Sequence, residues 1–163
     1  MAVRTILTWP DARLNMAASP VTADDSARRL AQDMLDTMYA AYGRGLAATQ
    51  IGQLSRVFVM DALWKSGDKA PEVFLNPEII WRSDSITIGP EGCLSIPGTV
   101  ADVARASEII LRWTTGDGAI AAQKLVGFRA ICAQHEIDHL DGILTLDRLS
   151  PQDRARAEAA VGA

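Results

Sequence analysis

Gln134-His135-Glu136-Ile137-Asp138-His139 is the stretch on which the interpretation of this chain depends, and it holds the only two histidines among 163 residues. Histidines four positions apart lie one above the other on the same face of a helix, so both imidazoles can reach one cation. Glu136 lies beside them and can reach a water bound to that cation. The alternative is a polar pair on a solvated helix face, which we rank below a metal centre. The stretch therefore predicts a helix that carries a catalytic metal.

The rest of the chain alternates between helical and extended patterns. Apolar residues at three- and four-residue spacing predict a helix over 24–41, and a second apolar stripe predicts the metal-carrying helix over 127–140. A short charged helix is expected over 151–160. Five extended segments are expected, over 56–60, 73–77, 79–88, 109–113 and 119–126, with a hairpin turn at 116–118. We therefore predict an α+β fold, in which small antiparallel or mixed sheets surround a central helix with the His-Glu-x-x-His motif. Residues 1–163 are expected to form one catalytic domain.

Composition excludes several classes of protein. Hydrophobic residues make up 48% of the chain and charged residues 22%, as in ordinary globular proteins. The net charge of −4 gives no electrostatic drive for binding nucleic acid. No apolar run approaches the ~20 residues of a membrane span, and the first residues resemble neither a secretory nor a transit signal. We therefore expect a cytoplasmic protein whose two cysteines are reduced thiols.

The third metal ligand has to come from another residue type. A catalytic site of this kind usually has three protein ligands and one open position, and the histidines are exhausted. A carboxylate or a cysteine remains. Cys93 stands out because glycines and prolines flank it on both sides, which predicts a tight, exposed loop. Cys132 is better explained as a small apolar residue in the wall of the site.

A third segment of interest runs from Gly43 to Gln50 and reads Gly-Arg-Gly-Leu-Ala-Ala-Thr-Gln. Its small residues would let a ligand approach the backbone closely, and Gln50 offers an amide donor. Alone, this segment is weak evidence.

Taken together, three segments resemble the peptide deformylase family. The family's pattern is Gly-apolar-Gly-apolar-Ala-Ala-x-Gln, then Glu-Gly-Cys-Leu-Ser, then Gln-His-Glu-x-Asp-His. Residues 43–50, 91–95 and 134–139 match it in that order and at similar spacing. Residues 10–14 and 140–142 are also similar, so the resemblance covers nearly the whole chain.

The resemblance implies a reaction and a set of residues for it. A divalent metal would be held by Cys93, His135 and His139. In this family the metal is usually Fe2+, for which Zn2+ or Ni2+ can substitute. Glu136 would move the proton from water to the departing amine, while the Gln50 amide and the Leu94 backbone N–H would stabilise the oxyanion. The substrates would be N-formylmethionyl peptides, and the products formate and a free amino terminus.

The resemblance also implies a methionine pocket, and here the chain departs from the family. The substrate-binding residues would be Gly43, Arg44, Gly45, Gly92, Phe128, Ile131 and Cys132. Position 44 is usually aliphatic in the family, and position 89, here Gly89, often carries a bulky residue. In the first interpretation the Arg44 stem lies along the pocket wall and its guanidinium reaches solvent through the space left by Gly89. In the second, the cation favours peptides with an acidic or polar first or second side chain. We favour the first modestly.

Parts of the sequence are also compatible with two other functions. A metallopeptidase of the zincin kind would share the histidine motif and could use Glu158 as its third ligand. However, Glu158 lies in an alanine-rich tail, too short to add a second lobe. A degenerate paralogue could bind metal or a peptide terminus without efficient turnover, with Arg44 and Gly89 as its only support. The C-terminal segment is nearly neutral and so gives little support for a weak or transient ribosome association, which is left open.

Overall fold

The computed structural model describes residues 2–161 and has the α+β architecture predicted from the sequence. The helices are α1 (Asp25–Ala40), α2 (Gly127–Leu140) and α3 (Pro151–Val161). The strands are β1 (Gly45–Ala47), β2 (Val57–Met60), β3 (Glu72–Arg82), β4 (Ile86–Cys93), β5 (Ile96–Ala106), β6 (Glu108–Thr114) and β7 (Ile120–Val126). Short 3-10 turns span Ala12–Asn15, Ala48–Ile51 and Thr145–Arg148. Within residues 2–161, no helix combines the length and apolar character needed to cross a membrane.

The strands form two antiparallel sheets. One has five strands in the order β1-β2-β3-β6-β7, and the other is the β4–β5 hairpin. Strand β2 is buried on both faces, because successive side chains alternate between α1 and α2. Val57 and Val59 pack in the cluster formed with α1, whereas Phe58 packs in the cluster formed with α2 and stacks on Phe74, their ring centroids 4.4 Å apart. The five-stranded sheet thus lies between the two long helices.

Local sequence explains where the long helices begin and how they pack. The Asp24 side chain accepts a hydrogen bond from the Ala27 backbone N–H at 2.9 Å and caps α1. Helix α2 begins after Val126 and contacts β1, β2, β5 and β7. Most of its residues are buried, including polar ones, so α2 is the central helix that was expected.

Several predictions about elements hold, and others are corrected. Helix α2 has the predicted bounds, and the predicted turn joins β6 to β7, with Gly118 at a φ of 91°. The single extended segment expected over 79–88 is divided between the end of β3 and the start of β4. Cys93 does not lie in an exposed loop: it is half-buried and ends β4, and β5 was not predicted at all. The reason is that the glycines and prolines of this segment are accommodated in a paired hairpin, a tertiary effect that local composition conceals.

Candidate active site

The two histidines of α2 and the cysteine at the end of β4 come together. The Nε2 atoms of His135 and His139 are 3.2 Å apart, and the Cys93 Sγ lies 3.3 Å from the His139 Nε2. All three ligand atoms lie within 4.8 Å of one another. Helical periodicity places the histidines on one face of α2, and the turn at 94–95 places the thiol opposite them.

These residues fit a tetrahedrally coordinated divalent ion. Ligand atoms that hold such an ion at about 2.0–2.3 Å are separated by roughly 3.3–3.7 Å, close to the observed spacings. Cysteine sulfur and imidazole nitrogen suit Fe2+, Ni2+ and Zn2+ better than Mg2+ or Ca2+. Burial lowers the pKa of His139, as does the nearby charge of His135, which favours the neutral imidazole that ligates metals. Among the described residues no other group of three such side chains lies as close together.

A buried ion-pair network orients His135. Its Nδ1 lies 2.9 Å from the Glu91 Oε1, which leaves Nε2 directed at the cluster. Arg105 donates two hydrogen bonds to the Glu91 carboxylate, at 2.8 and 2.9 Å, and a third to Asp138 at 2.6 Å. Burial alone would raise the pKa of Glu91, but Arg105 and His135 hold it at about 2. The Arg105 guanidinium therefore keeps the partner of His135 ionised. The sequence analysis missed Arg105, because its partners come from other elements.

Glu136 is buried beside the three-residue cluster. Burial raises its pKa to about 7, and its Oε1 has no hydrogen-bond partner among residues 2–161. The same surroundings affect His135: burial lowers its pKa, but the charge of Glu136 and the contacts with Cys93 and Glu91 raise it well above the ordinary value. A carboxyl group poised near neutral pH can both accept and return a proton.

Gly45 permits the close approach of β1 to α2. A Cβ at this position would overlap the Glu136 Oε2 and lie 2.9 Å from the Cys132 Sγ. Gly43 is similarly constrained, since its Cβ would lie 2.7 Å from the Leu94 Cδ1. Packing against the buried Glu136 and Cys132 therefore requires a glycine at position 45, whereas at position 43 only the end of the Leu94 side chain would have to move.

Gln50 and Leu94 face the same cavity as the cluster. The Gln50 Oε1 accepts a hydrogen bond from the Ala47 N–H at 2.9 Å, which fixes its amide orientation. Its Nε2 donates to the Ser95 Oγ at 3.0 Å and lies 3.8 Å from the Cys93 Sγ. Leu94 occupies the tight turn between β4 and β5, directly after Cys93. Both donors thus lie next to the thiol.

A cavity of about 580 Å³ opens at this site. The sequence-predicted residues that line it are Gly43, Arg44, Gly45, Gln50, Gly92, Cys93, Leu94, Phe128, Ile131, Cys132, His135 and Glu136. His139 lies behind this surface, with 1% of its area exposed. Cys132 is buried, and burial raises the pKa of its thiol, which agrees with its interpretation as a wall residue.

Arg44 and Gly89, the two departures from the family pattern, both line the cavity. The Arg44 side chain is exposed, and its guanidinium carbon lies 5.1 Å from the centroid of the Phe128 ring, a cation–π contact. Gly89 leaves open space, since nothing lies within 4 Å of a Cβ built there. Lys65, which the sequence analysis did not single out, also lines the cavity.

Glu158 belongs to a different part of the structure. It lies on α3, where its Oε1 accepts a hydrogen bond from the Arg154 Nε at 2.8 Å. It is absent from the group of potential ligands around the two histidines. The arrangement therefore gives no support to a zincin-type ligand set. Helix α3 confirms the short charged helix expected over 151–160.

Comparison with known proteins identifies the family. A family model described as polypeptide deformylase matches residues 3–155. The peptide deformylase of Alkalilimnicola ehrlichii is 52% identical over 157 residues, covering 96% of this chain and 87% of the relative. The enzyme of Phenylobacterium zucineum is 45% identical over 158 residues, covering 96% and 94%.

Solved structures agree with this result. A peptide deformylase from Legionella pneumophila superposes with a TM-score of 0.93 at 41% identity, covering 99% of this chain and 94% of that one. The Ehrlichia chaffeensis enzyme in complex with actinonin gives a TM-score of 0.92 at 37% identity, covering 99% and 96%. Family, relatives and fold agree over nearly the whole length, and the chain belongs to the peptide deformylase family.

Proposed function

We propose that this chain hydrolyses the N-formyl group of peptides that begin with formylmethionine, and that it releases formate and a free amino terminus. One observation carries the proposal: Cys93, His135 and His139 present three ligand atoms within 4.8 Å of one another, beside the buried Glu136 and at one cavity. The family membership supports the same reaction. Residues 1–163 would act as one catalytic domain in the cytoplasm, where formylated chains are made.

The metal would be held by Cys93, His135 and His139, and we propose Fe2+ as the resident ion, with Ni2+ or Zn2+ able to replace it. When bound, such an ion supplies Lewis acidity that polarises the formyl carbonyl and lowers the pKa of water towards ~7. The Glu91 carboxylate holds the His135 Nδ1–H, and so keeps Nε2 available as a ligand.

The remaining steps fall to side chains of the cavity. Glu136 accepts the proton of the attacking water at its unpartnered Oε1 and later delivers it to the departing amine. The Gln50 Nε2 and the Leu94 N–H donate to the formyl oxygen as negative charge develops there. The loss of one such donor typically costs about 100-fold or more in rate. Gln50 is held ready for this role, because Ala47 and Ser95 fix both ends of its amide.

The methionine side chain would enter the apolar part of the cavity. Ile131 and Cys132 lie one helical turn before His135 and Glu136, and Phe128 lies one turn earlier still. Gly43, Gly45 and Gly92 leave the cavity wall without side chains there. Strand β1 is at the edge of its sheet, so an extended peptide can lie along it. We also propose a weak or transient association with the ribosome.

Formate release tests the proposal. Protein prepared anaerobically and loaded with Fe2+ or Ni2+ should release formate from formyl-Met-Ala-Ser, whereas Glu136→Ala should lose at least about 100-fold in kcat/KM. Formate production no faster than that of the variant would contradict the proposed reaction. Cys93→Ala should also lose bound metal, and Glu158→Ala should retain it; the opposite pattern would favour the metallopeptidase.

A further inference from the structure

Two cations stand at the mouth of the active-site cavity without acidic partners. Arg44 and Lys65 both line the cavity and both are exposed. Across residues 2–161, no carboxylate lies within the 4.0 Å ion-pair distance of either side chain. Burial by neighbouring groups lowers the pKa of Lys65, and the charge of Arg44 lowers it further. Because both side chains line the same cavity, the two charges can act on the same ligand.

Two hydrogen bonds anchor the segment that carries Lys65 to Gly43 and Arg44, which directly precede β1. The Trp64 Nε1 donates a hydrogen bond to the Gly43 carbonyl at 2.8 Å, and the Asp61 N–H donates to the Arg44 carbonyl, also at 2.8 Å. The Lys65 ammonium lies 4.3 Å from the centroid of the Tyr42 ring. Lys65 thus occupies a defined position beside Arg44, not the tip of an independent loop.

The rest of the cavity lining leaves this positive charge uncompensated. Among residues 2–161, only two carboxylates line it, and one of them, Glu91, already pairs with Arg105 and His135. The other is Glu136, which lies at the reacting end. The lining also includes Thr87, Gly89 and Thr99, which carry no charge. The mouth is therefore cationic, although the chain as a whole has a net charge of −4.

The spacing along α2 places Arg44 near the residues that follow the methionine. Arg44 stacks on Phe128, which lies two helical turns before His135, about 10 Å along the axis of α2. An extended peptide advances ~3.3 Å per residue, so about 10 Å corresponds to its second or third residue. We propose that Arg44 and Lys65 make this enzyme selective for formylmethionyl peptides with an acidic side chain at the second or third position. This replaces the interpretation favoured from the sequence, in which Arg44 only sends its guanidinium to solvent, because the guanidinium lies over Phe128 and a second cation, Lys65, lines the same cavity. This inference rests on the proposed deformylase function.

Four peptides test the selectivity in the Ni2+-loaded enzyme. They are formyl-Met-Ala-Ser, formyl-Met-Asp-Ser, formyl-Met-Ala-Asp and formyl-Met-Lys-Ser. At low ionic strength, at least one of the two acidic peptides should have a kcat/KM about 3- to 10-fold above that of the neutral peptide, the range expected for one or two exposed ion pairs. The lysine peptide should be the poorest substrate. The preference should shrink at high salt, because exposed charges are screened.

Variants assign the preference to the two cations. In the double variant Arg44→Gln, Lys65→Met, the ratio between acidic and neutral peptides should fall to within about twofold of one. Lys69→Met is the matched control, because Lys69 belongs to the same segment and lies over Tyr39 and Trp64 outside the cavity lining. It should keep the preference of the parent enzyme.

The outcomes separate the two proposals. Equal kcat/KM for acidic and neutral peptides in the parent enzyme, or a preference that survives in the double variant, overturns the selectivity while deformylation stands. If no peptide releases formate, the proposed function fails and the selectivity fails with it.

Discussion

Replacement of Arg105 by methionine tests whether a buried guanidinium, rather than the metal ligands alone, maintains the site. Arg105 is 5% exposed and makes hydrogen bonds to both oxygens of Glu91 and to Asp138. Glu91 in turn contacts the His135 Nδ1. In Arg105→Met, the Glu91 carboxylate would keep only the histidine, whereas Asp138 would keep the two hydrogen bonds from Arg148. Glu91 is therefore the group that the substitution affects most.

The expected loss in free energy of unfolding depends on the partners that each carboxylate keeps. Removal of one partner from a buried ion pair costs about 3–5 kcal/mol, because the other charge stays buried without compensation. The pKa of Glu91, held at about 2, should rise. Glu91→Gln removes that charge and keeps an acceptor for His135. The double variant Arg105→Met, Glu91→Gln should therefore lose about 2 kcal/mol less free energy of unfolding than the sum of the losses in the two single variants.

Urea unfolding of the Ni2+-loaded proteins measures these losses, and competition with a chelator measures metal affinity. Arg105→Met should weaken metal binding about 10- to 100-fold, the usual effect of losing support behind a ligand histidine. Arg112→Met is the control, because Arg112 and its partner Glu78 are 53% and 60% exposed and their pair should contribute less than about 1 kcal/mol. The reasoning is refuted if Arg105→Met costs no more than Arg112→Met, or if the effects of Arg105→Met and Glu91→Gln simply add.

Two further predictions concern close packing and pH. Gly45→Ala should lower kcat/KM about 100-fold or more, because the new methyl group would displace Glu136 and Cys132. Steady-state kinetics would contradict this if the loss were below tenfold. Asp33, which accepts hydrogen bonds from Arg4, has its pKa lowered from 3.8 to about 2, so its contribution to stability exists above pH ~4 and disappears as the pH falls towards 2. Asp33→Asn should accordingly destabilise the protein by about 1 kcal/mol at pH 7, with little difference near pH 2 in urea unfolding; equal losses at both values would disprove the assignment.

Local patterns in the sequence predicted those parts of the molecule that depend on local structure. The residues of α2 have a helical stripe and histidines at a four-residue spacing, so both the helix and the face that carries the two histidines could be derived. The turn at 116–118 was evident because glycine suits its positive φ. The clustering of Cys93 with the histidines was expected from the donor chemistry and from family resemblance.

Long-range pairing produced the features that were missed. From the sequence alone, Arg105 looks like an ordinary solvent-exposed residue, and only the approach of Glu91 and Asp138, 14 and 33 residues away, makes its burial favourable. Strand β5 was missed for a related reason, since its register with β4 compensates for its weak local preference. Lys65 was missed because its position depends on Trp64, which packs against Tyr39 and Tyr42.

Helix α2 illustrates how a functional site constrains a fold. A helix that lies between a sheet and a hairpin would normally present apolar side chains, yet Gln134, Glu136 and Asp138 are all buried here. Two of them are compensated from outside the helix: Gln134 hydrogen-bonds the Ala106 backbone, and Asp138 pairs with arginines. Of these three side chains, only Glu136 retains an oxygen that has no partner among residues 2–161, at a cost of about 1–3 kcal/mol. Burial without compensation raises the pKa of this carboxyl group. If every oxygen of Glu136 had a hydrogen-bond partner, the fold would be more stable, but the proposed reaction would lose its proton acceptor.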